Sequence, residues 1–178
     1  QRILGALWIV FTQRTVLKAL HVVSFFHALI FYGFVFYFLV NLVDVLEGFV
    51  SFQARGGLWG PFNWLADLLT ASVLIGMIAL VIRRFVVRPK DFAFPSNVPL
   101  QPEVRAGILR DSSIVAGFIL FHVGSRLMFK ATQLSREGTD PFHPVSSLVA
   151  GIFAGINPGV VEGLNHFFWW GALGSILI

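Results

Sequence analysis

Residues 19–43 read ALHVVSFFHALIFYGFVFYFLVNLV and contain no Asp, Glu, Lys or Arg. A helix of about 20 apolar residues crosses the roughly 30 Å hydrocarbon core of a bilayer, so this stretch is long enough to span a membrane. It also carries two histidines, His21 and His27. An ionisable side chain inside a membrane is costly unless its polar atoms are bound, and it therefore indicates a function. The open choices for these imidazoles are a haem iron, another metal, a proton path or a buried hydrogen bond.

Composition places the whole chain among helical membrane proteins. Its 178 residues are 56% hydrophobic and 12% charged, against about 25% charged in soluble domains. The apolar runs are continuous rather than alternating, which argues against a β-barrel. The sequence pI near 10.1 does not indicate nucleic-acid binding, because the basic residues cluster beside apolar runs, where they encode topology. Cysteine is absent, so this chain has no thiolate ligands for an iron–sulfur cluster.

The apolar runs predict an all-α bundle of four transmembrane spans. The expected spans cover residues 16–45, 62–87, 108–130 and 159–178. Residues 1–15 predict an amphipathic or interfacial helix. Residues 145–156 are apolar but too few to cross a bilayer, and they predict an interfacial or re-entrant helix. The proline-rich residues 88–106 and the polar residues 131–143 are expected to be loops.

Basic residues set the expected orientation. Arg14, Lys18, Arg83, Arg84, Arg88, Lys90, Arg105 and Arg110 share one side of the predicted bundle. By the positive-inside rule this side is cytoplasmic. Both ends of a four-span chain would then lie in the cytoplasm, and the expected membrane is the inner (plasma) membrane of the cell. The chain begins with Gln1 and stops at Ile178 within an apolar run. We therefore expect a fragment of a longer protein, with a cytoplasmic domain after residue 178.

Histidines are the candidate cofactor ligands. Haem b in a helical bundle needs two axial imidazoles that face each other from different helices. His27 lies about 5 Å from the predicted middle of the first span, and His166 lies early in the last helix. Both are expected to be metal-binding residues that ligate haem. The alternative for each is a hydrogen-bonded packing histidine.

Three further residues are weaker candidates. His122 lies in the third span and is a substitute axial ligand; because Arg126 follows one turn later, a polar patch or a quinone-facing pocket fits equally well. Arg126 is expected to extend outward to the membrane surface, with pairing to a haem propionate as the alternative. His21 lies near the membrane interface, where water can hydrate it, and a haem role is the lesser alternative.

Three segments carry a resemblance to a known family. They are FFHALIFYGFVFYFLVNLVDVLEG (Phe25–Gly48), RDSSIVAGFILFHVGSRLMF (Arg110–Phe129) and NHFFWWGAL (Asn165–Leu173). Together they resemble the membrane cytochrome b module of the respiratory nitrate reductase gamma-subunit type. The variant most similar is the one fused to an iron–sulfur domain in heterodisulfide-reductase-like oxidoreductases, which include electron-transfer-flavoprotein:quinone reductases.

This resemblance implies a b-haem domain that passes electrons between a quinone pool and a cytoplasmic partner, as the membrane part of a quinone-linked oxidoreductase. The partner would be an iron–sulfur domain carrying 4Fe-4S clusters outside this chain, or an electron-transfer flavoprotein. His27 matches the first-helix ligand and His166 the last-helix ligand. The two-haem pattern has histidines where this chain has Tyr37 and Ala172. One haem is therefore expected, with two as the alternative.

A different class of function is a proton-conducting or transporter-type subunit without haem. Such a protein would need acidic partners for its histidines near the middle of the membrane. The acidic residues of the predicted spans, Asp44, Asp67, Asp111 and Glu162, all lie toward span ends. A purely structural subunit is a third choice, but it leaves the deep histidines unexplained.

Overall fold

The computed structural model describes residues 2–13, 17–18, 21–50, 57–88 and 101–175. Within these ranges the chain forms helices, turns and no strand, which confirms the all-α class. The helices are α1 (Arg2–Thr12), α2 (His21–Phe49), α3 (Trp59–Val81), α4 (Pro102–Glu137), α5 (Pro144–Ala150) and α6 (Pro158–Gly174). A π-helical segment, Ile82–Val87, continues α3, and a 3₁₀ turn, Gly151–Phe153, continues α5.

Three helices are long and apolar enough to cross a membrane. These stretches are Val22–Val43, Trp59–Val87 and Gly107–Glu137, of 22, 29 and 31 residues. They lie in α2, in α3 with its π-helical extension, and in α4, and they are the helices of a multi-pass membrane protein. The described part of α6 has 17 residues, or about 25 Å. The fourth expected span is therefore not confirmed, and residues 176–178 lie outside the described part of the chain.

Helix α4 is longer than the sequence predicts. It begins at Pro102 rather than near residue 108, because proline at the first helical position gives up only an amide hydrogen that has no partner inside the helix. It continues to Glu137, so most of the polar segment that was expected to be a loop is helical. Ala131 and Thr132 are fully buried there. Packing, rather than local polarity, decides where this helix ends. The proline-rich residues 89–100 lie outside the described residues.

Helices α2 and α3 pack closely in antiparallel orientation. A methyl group placed on Gly33 of α2 would overlap the side chain of Val73 on α3. One placed on Gly76 would lie 3.1 Å from Ile30 and 3.2 Å from the carbonyl oxygen of Phe26. Small residues let membrane helices approach each other to backbone contact. The two glycines therefore set the spacing and the register of this helix pair.

Helices α4 and α6 form the second antiparallel pair. Asn165 of α6 donates hydrogen bonds to the carbonyl oxygen of Phe129 at 3.0 Å and to Oγ1 of Thr132 at 2.9 Å. Further along α6, a methyl group placed on Gly171 would lie 2.9 Å from Oγ of Ser125. Contacts between α3 and α4 join the two pairs, and α5 lies against both of these helices.

The two ends of the bundle differ in charge. One end, called here the basic end, carries Arg83, Arg84 and Arg110. The opposite end, called here the loop end, is formed by residues 138–157, which include α5. Helix α1 has no buried residue, and its Phe11 carbonyl accepts a hydrogen bond of 2.6 Å from the Tyr32 hydroxyl on α2. A short helix is thus present where the sequence predicts one.

Candidate functional site

A groove near the basic end is the strongest candidate site. Its volume is about 760 Å³, and it opens between α2, the end of α3 with its π-helical segment, and α4. Met77, Leu80 and Val115 are among its apolar wall residues. This volume lies within the range of about 300–1,000 Å³ that is typical of pockets for small molecules and cofactors.

His27 presents its imidazole to this groove. The residue lines the groove and is exposed, although it lies within a stretch long enough to span a membrane. Ser24, one helical turn earlier, lines the same groove and is itself buried. An exposed imidazole on an apolar span is expensive unless a ligand or another protein group takes up its nitrogens. The position of His27 is therefore what a ligand site in the groove requires.

The remaining polar wall comes from the π-helical segment and from α4. Arg83, Arg84 and Phe85 are consecutive, and all three line the groove. A π-helical turn holds more residues than an α-helical turn, so successive side chains diverge less, and such turns are frequent at functional sites. The segment ends at Arg88, which has a left-handed backbone (φ 47°) and donates its amide hydrogen to the Arg83 carbonyl at 2.9 Å. The sequence alone identifies these arginines only as topology signals.

His122 lies in a different environment, buried between α4 and α6. Its Nδ1 is 2.7 Å from Oγ of Ser175. The Ser175 hydroxyl also lies 2.8 Å from the Ala172 carbonyl oxygen, to which it can donate. Phe118 stacks on the ring at 6.5 Å between centroids. Nothing in the sequence pattern singles out Ser175 as the partner.

Tyr37 and Arg126 lie beside His122 in the interior of the bundle. The Tyr37 hydroxyl is 2.5 Å from Oγ1 of Thr70, which joins α2 to α3. The guanidinium carbon of Arg126 is 5.7 Å from the centre of the Tyr37 ring, within the range of a cation–π contact. Arg126 is thus turned toward the interior, and the expectation that it extends outward is wrong. The buried aromatic ring gives its charge a partner that a sequence pattern does not show.

His166 lies at a different depth of the bundle from His27. It is exposed on α6, on the same side as Trp170, while its neighbour Asn165 faces α4. His27 shares its groove with Ala116 of α4, whereas Asn165 contacts Phe129. Ala116 and Phe129 are thirteen residues apart in one helix, or about 20 Å. Because both axial ligands of a haem bind the same iron atom, this placement does not put His27 and His166 on one haem.

The groove fits a haem in part. It offers one imidazole, an apolar wall and two guanidinium groups, which match an iron, a macrocycle and its carboxylates. His27 is the one histidine among the described residues that line it. The side chain of His21 lies outside what the structure describes. In the part of the chain that is described, no group of three or more His, Asp or Glu residues could hold a separate metal ion.

The loop end holds another histidine, which is paired with a carboxylate outside the membrane-spanning helices. Nδ1 of His143 lies 2.9 Å from Oδ2 of Asp140. Burial and the nearby charge of Lys130 lower the pKa of His143, against the opposing effect of Asp140. Burial alone would raise the pKa of Asp140, but the Phe142 amide and His143 outweigh it and lower that pKa. This pair is therefore an electrostatic element of the loop, not part of the groove.

Comparison with known proteins gives one informative relationship. No family model matches the chain, and no solved structure matches it. The chain is similar to EtfAB:quinone oxidoreductase of Syntrophomonas wolfei subsp. wolfei (strain DSM 2245B / Goettingen), with 30% identity over 169 residues. The matched region covers 92% of this chain and 23% of that protein, so the chain spans about a quarter of the length of this relative. The relationship to the nitrate reductase gamma-subunit type stays a prediction.

Proposed function

We propose that this chain is the membrane part of a quinone-linked electron-transfer protein and that it binds haem b with His27 as an axial ligand. The observation that carries the proposal is the placement of His27, an imidazole on a membrane-spanning helix that opens into an apolar groove. A haem combines an iron that binds imidazole with an apolar ring and two carboxylates. The groove at the basic end offers a complement to each of these parts.

The similar protein of Syntrophomonas wolfei supports the quinone-linked role through its name, EtfAB:quinone oxidoreductase. Quinone from the bilayer would be one redox partner of this chain. The other would be an electron-transfer flavoprotein or an iron–sulfur domain, expected on the cytoplasmic side, and any 4Fe-4S clusters would belong to that partner. Because the match covers 23% of the relative, these partners are part of the proposal.

Haem supplies one-electron chemistry when it is bound, and the protein supplies ligation and surroundings. In this chain His27 would bind the iron, and Met77 and Leu80 would contact the apolar ring. We propose one haem at this site. His166 lies about 20 Å from the His27 groove, measured along the neighbouring helix α4. It would belong to a separate haem if two are present. His122, whose Nδ1 is hydrogen-bonded to Ser175, links α4 to the end of α6 rather than facing the groove.

A spectroscopic experiment tests the proposal. The full-length protein is purified in detergent from cells supplied with a haem precursor, and its reduced-minus-oxidised spectrum and haem content per chain are measured. We expect a b-type spectrum that His27→Ala removes or strongly diminishes. His143→Ala is the matched control, because His143 lies in the loop end and pairs with Asp140.

Two results would contradict the proposal. The first is a folded full-length protein without a Soret band, which would favour the haem-free proton-conducting alternative. The second is a His27→Ala variant that keeps the whole haem content of the unmodified protein. Retention of haem by His166→Ala would identify the His27 groove as the one occupied site.

A further inference from the structure

We propose that Arg83 and Arg84 form the anion-binding part of the His27 groove and hold the two carboxylates of the cofactor. This assignment rests on the proposed function, and it adds which residues bind the cofactor's charged edge and which way that edge faces. From the sequence, Arg126 is the candidate for this role. The structure instead places Arg126 against Tyr37, about 15 Å along α4 from Ala116 at the groove.

The π-helical segment places both arginines in the lining of the groove. Arg83 and Arg84 are adjacent in sequence and both line the groove with Phe85. Nη2 of Arg84 lies 3.5 Å from the carbonyl oxygen of Ile108, so the side chain extends toward α4. A guanidinium group carries five N–H donors in a planar fork, and this geometry matches a carboxylate. Two arginines in the groove lining supply one such fork for each carboxylate of a ligand with two carboxylates.

The local charge favours an anion despite one acidic wall residue. Asp111 of α4 also lines the groove. Its Oδ1 lies 3.4 Å from Nε of Arg110, and both of these side chains are largely exposed. Its charge is thus shared with Arg110 and screened by solvent. Among the described residues that line this end of the groove, Arg83 and Arg84 carry positive charge and Asp111 carries negative charge.

The assignment fixes the class and the direction of the ligand. An apolar body with two carboxylates would place its body against Met77, Leu80 and Val115 and its carboxylates at the basic end. A neutral quinone would not need the two arginines. An anionic phospholipid shares the charge but carries a phosphate and two acyl chains, and it has no use for His27. We therefore assign the arginines to the cofactor carboxylates.

Reconstitution with a modified cofactor tests this assignment. Full-length protein prepared without haem is titrated optically with haem and with haem dimethyl ester, which keeps the iron and the ring but has no free carboxylates. We expect the unmodified protein to bind haem at least about tenfold more tightly than the ester. Arg83→Gln and Arg84→Gln should each weaken haem binding by about tenfold and leave binding of the ester unchanged.

Three comparisons separate a specific effect from a general one. Arg136→Gln is the control, because Arg136 is an exposed arginine of α4 that does not line the groove. Arg84→Lys, which keeps the charge, should recover part of the lost affinity and reports on folding. The reduction potential of the haem should fall in Arg84→Gln, since a nearby positive charge favours the reduced form.

Distinct outcomes identify which idea fails. Equal affinity of the unmodified protein for haem and its ester would overturn the role of the arginines and leave the proposed function standing. Loss of co-purified phosphatidylglycerol from Arg84→Gln, with haem affinity unchanged, would likewise overturn it in favour of a lipid site. Failure of the unmodified protein to bind either compound would overturn the proposed function itself.

Discussion

Asp67 of α3 accepts hydrogen bonds from both the backbone and the side chain of Ser146 in α5. The Ser146 amide lies 3.2 Å from Oδ2, its hydroxyl contacts Oδ1, and the Val145 amide donates to Oδ2 at 2.6 Å. The first amides of a helix have no acceptor within the helix, and α5 has only seven residues. One buried carboxylate therefore holds this short helix onto the loop end of the bundle.

Replacement of Asp67 by Asn should destabilise the loop end. The charged acceptor is lost, and an amide group brings its own donor against the α5 amides. Hydrogen bonds to charged groups contribute about 1.5–3 kcal/mol, so we expect a loss of roughly that size in the free energy of unfolding, measured by thermal unfolding in detergent. Asp111→Asn is the control, because Asp111 is largely exposed. Equal stability of Asp67→Asn and the unmodified protein would contradict the anchoring role.

His122 and Ser175 provide a second test. Ser175→Ala removes the hydroxyl that pairs with the buried Nδ1 of His122, which costs about 1–3 kcal/mol. Adding His122→Ala should then cause less further loss than it does alone, because the pair acts as a unit. Ser113→Ala, at an exposed serine of the same helix, should change stability by less than about 0.5 kcal/mol.

The haem spectrum of His122→Ala is informative in its own right. His122 is a substitute axial ligand on sequence grounds, and its Nδ1 hydrogen bond gives it a role within the interior packing. We expect the variant to keep its haem. Loss of haem from His122→Ala, with the fold intact by circular dichroism, would return His122 to the ligand set.

Gly33 and Gly117 are a matched pair for testing the contact between α2 and α3. Gly33→Ala would bring a methyl group into the side chain of Val73, whereas Gly117→Ala meets nothing within 4 Å. Overpacking costs about 1–3 kcal/mol, so Gly33→Ala should unfold at lower temperature. Gly117→Ala should be neutral or stabilising by up to about 1 kcal/mol, from helix propensity. The double variant Gly33→Ala/Val73→Ala should regain part of the loss.

The sequence predicts the helices but not their contacts. The apolar run that contains His27 is long and uninterrupted, and only a helix satisfies its backbone in a membrane. The extension of α4 past Lys130 escapes prediction because it depends on burial of Ala131 and Thr132 against neighbours that are distant in sequence. The groove cannot be predicted either, because its wall residues come from helices that are distant in sequence.

The same limit applies to the candidate residues, because the sequence gives their depth in a span but not their surroundings. Depth in a predicted span singles out His27 and His166, with His122 as a substitute, since depth depends on position along the helix alone. Their different surroundings depend on the direction in which each side chain points. Arg84 at the end of a span looks like a topology signal, and only the π-helical turn shows that it lines a groove.

His143 should make the stability of the loop end depend on pH. Burial and Lys130 hold its pKa below the ordinary value of 6.5 in the folded protein, so the unfolded chain binds more protons at mildly acidic pH. The free energy of unfolding should therefore fall as the pH is lowered from above 6.5 through the folded pKa. The pKa of Asp140 lies below 3.8, outside this window. Thermal unfolding between about pH 7.5 and pH 5.5 should show a smaller pH dependence for His143→Gln than for the unmodified protein, and parallel curves would show that other groups control the change.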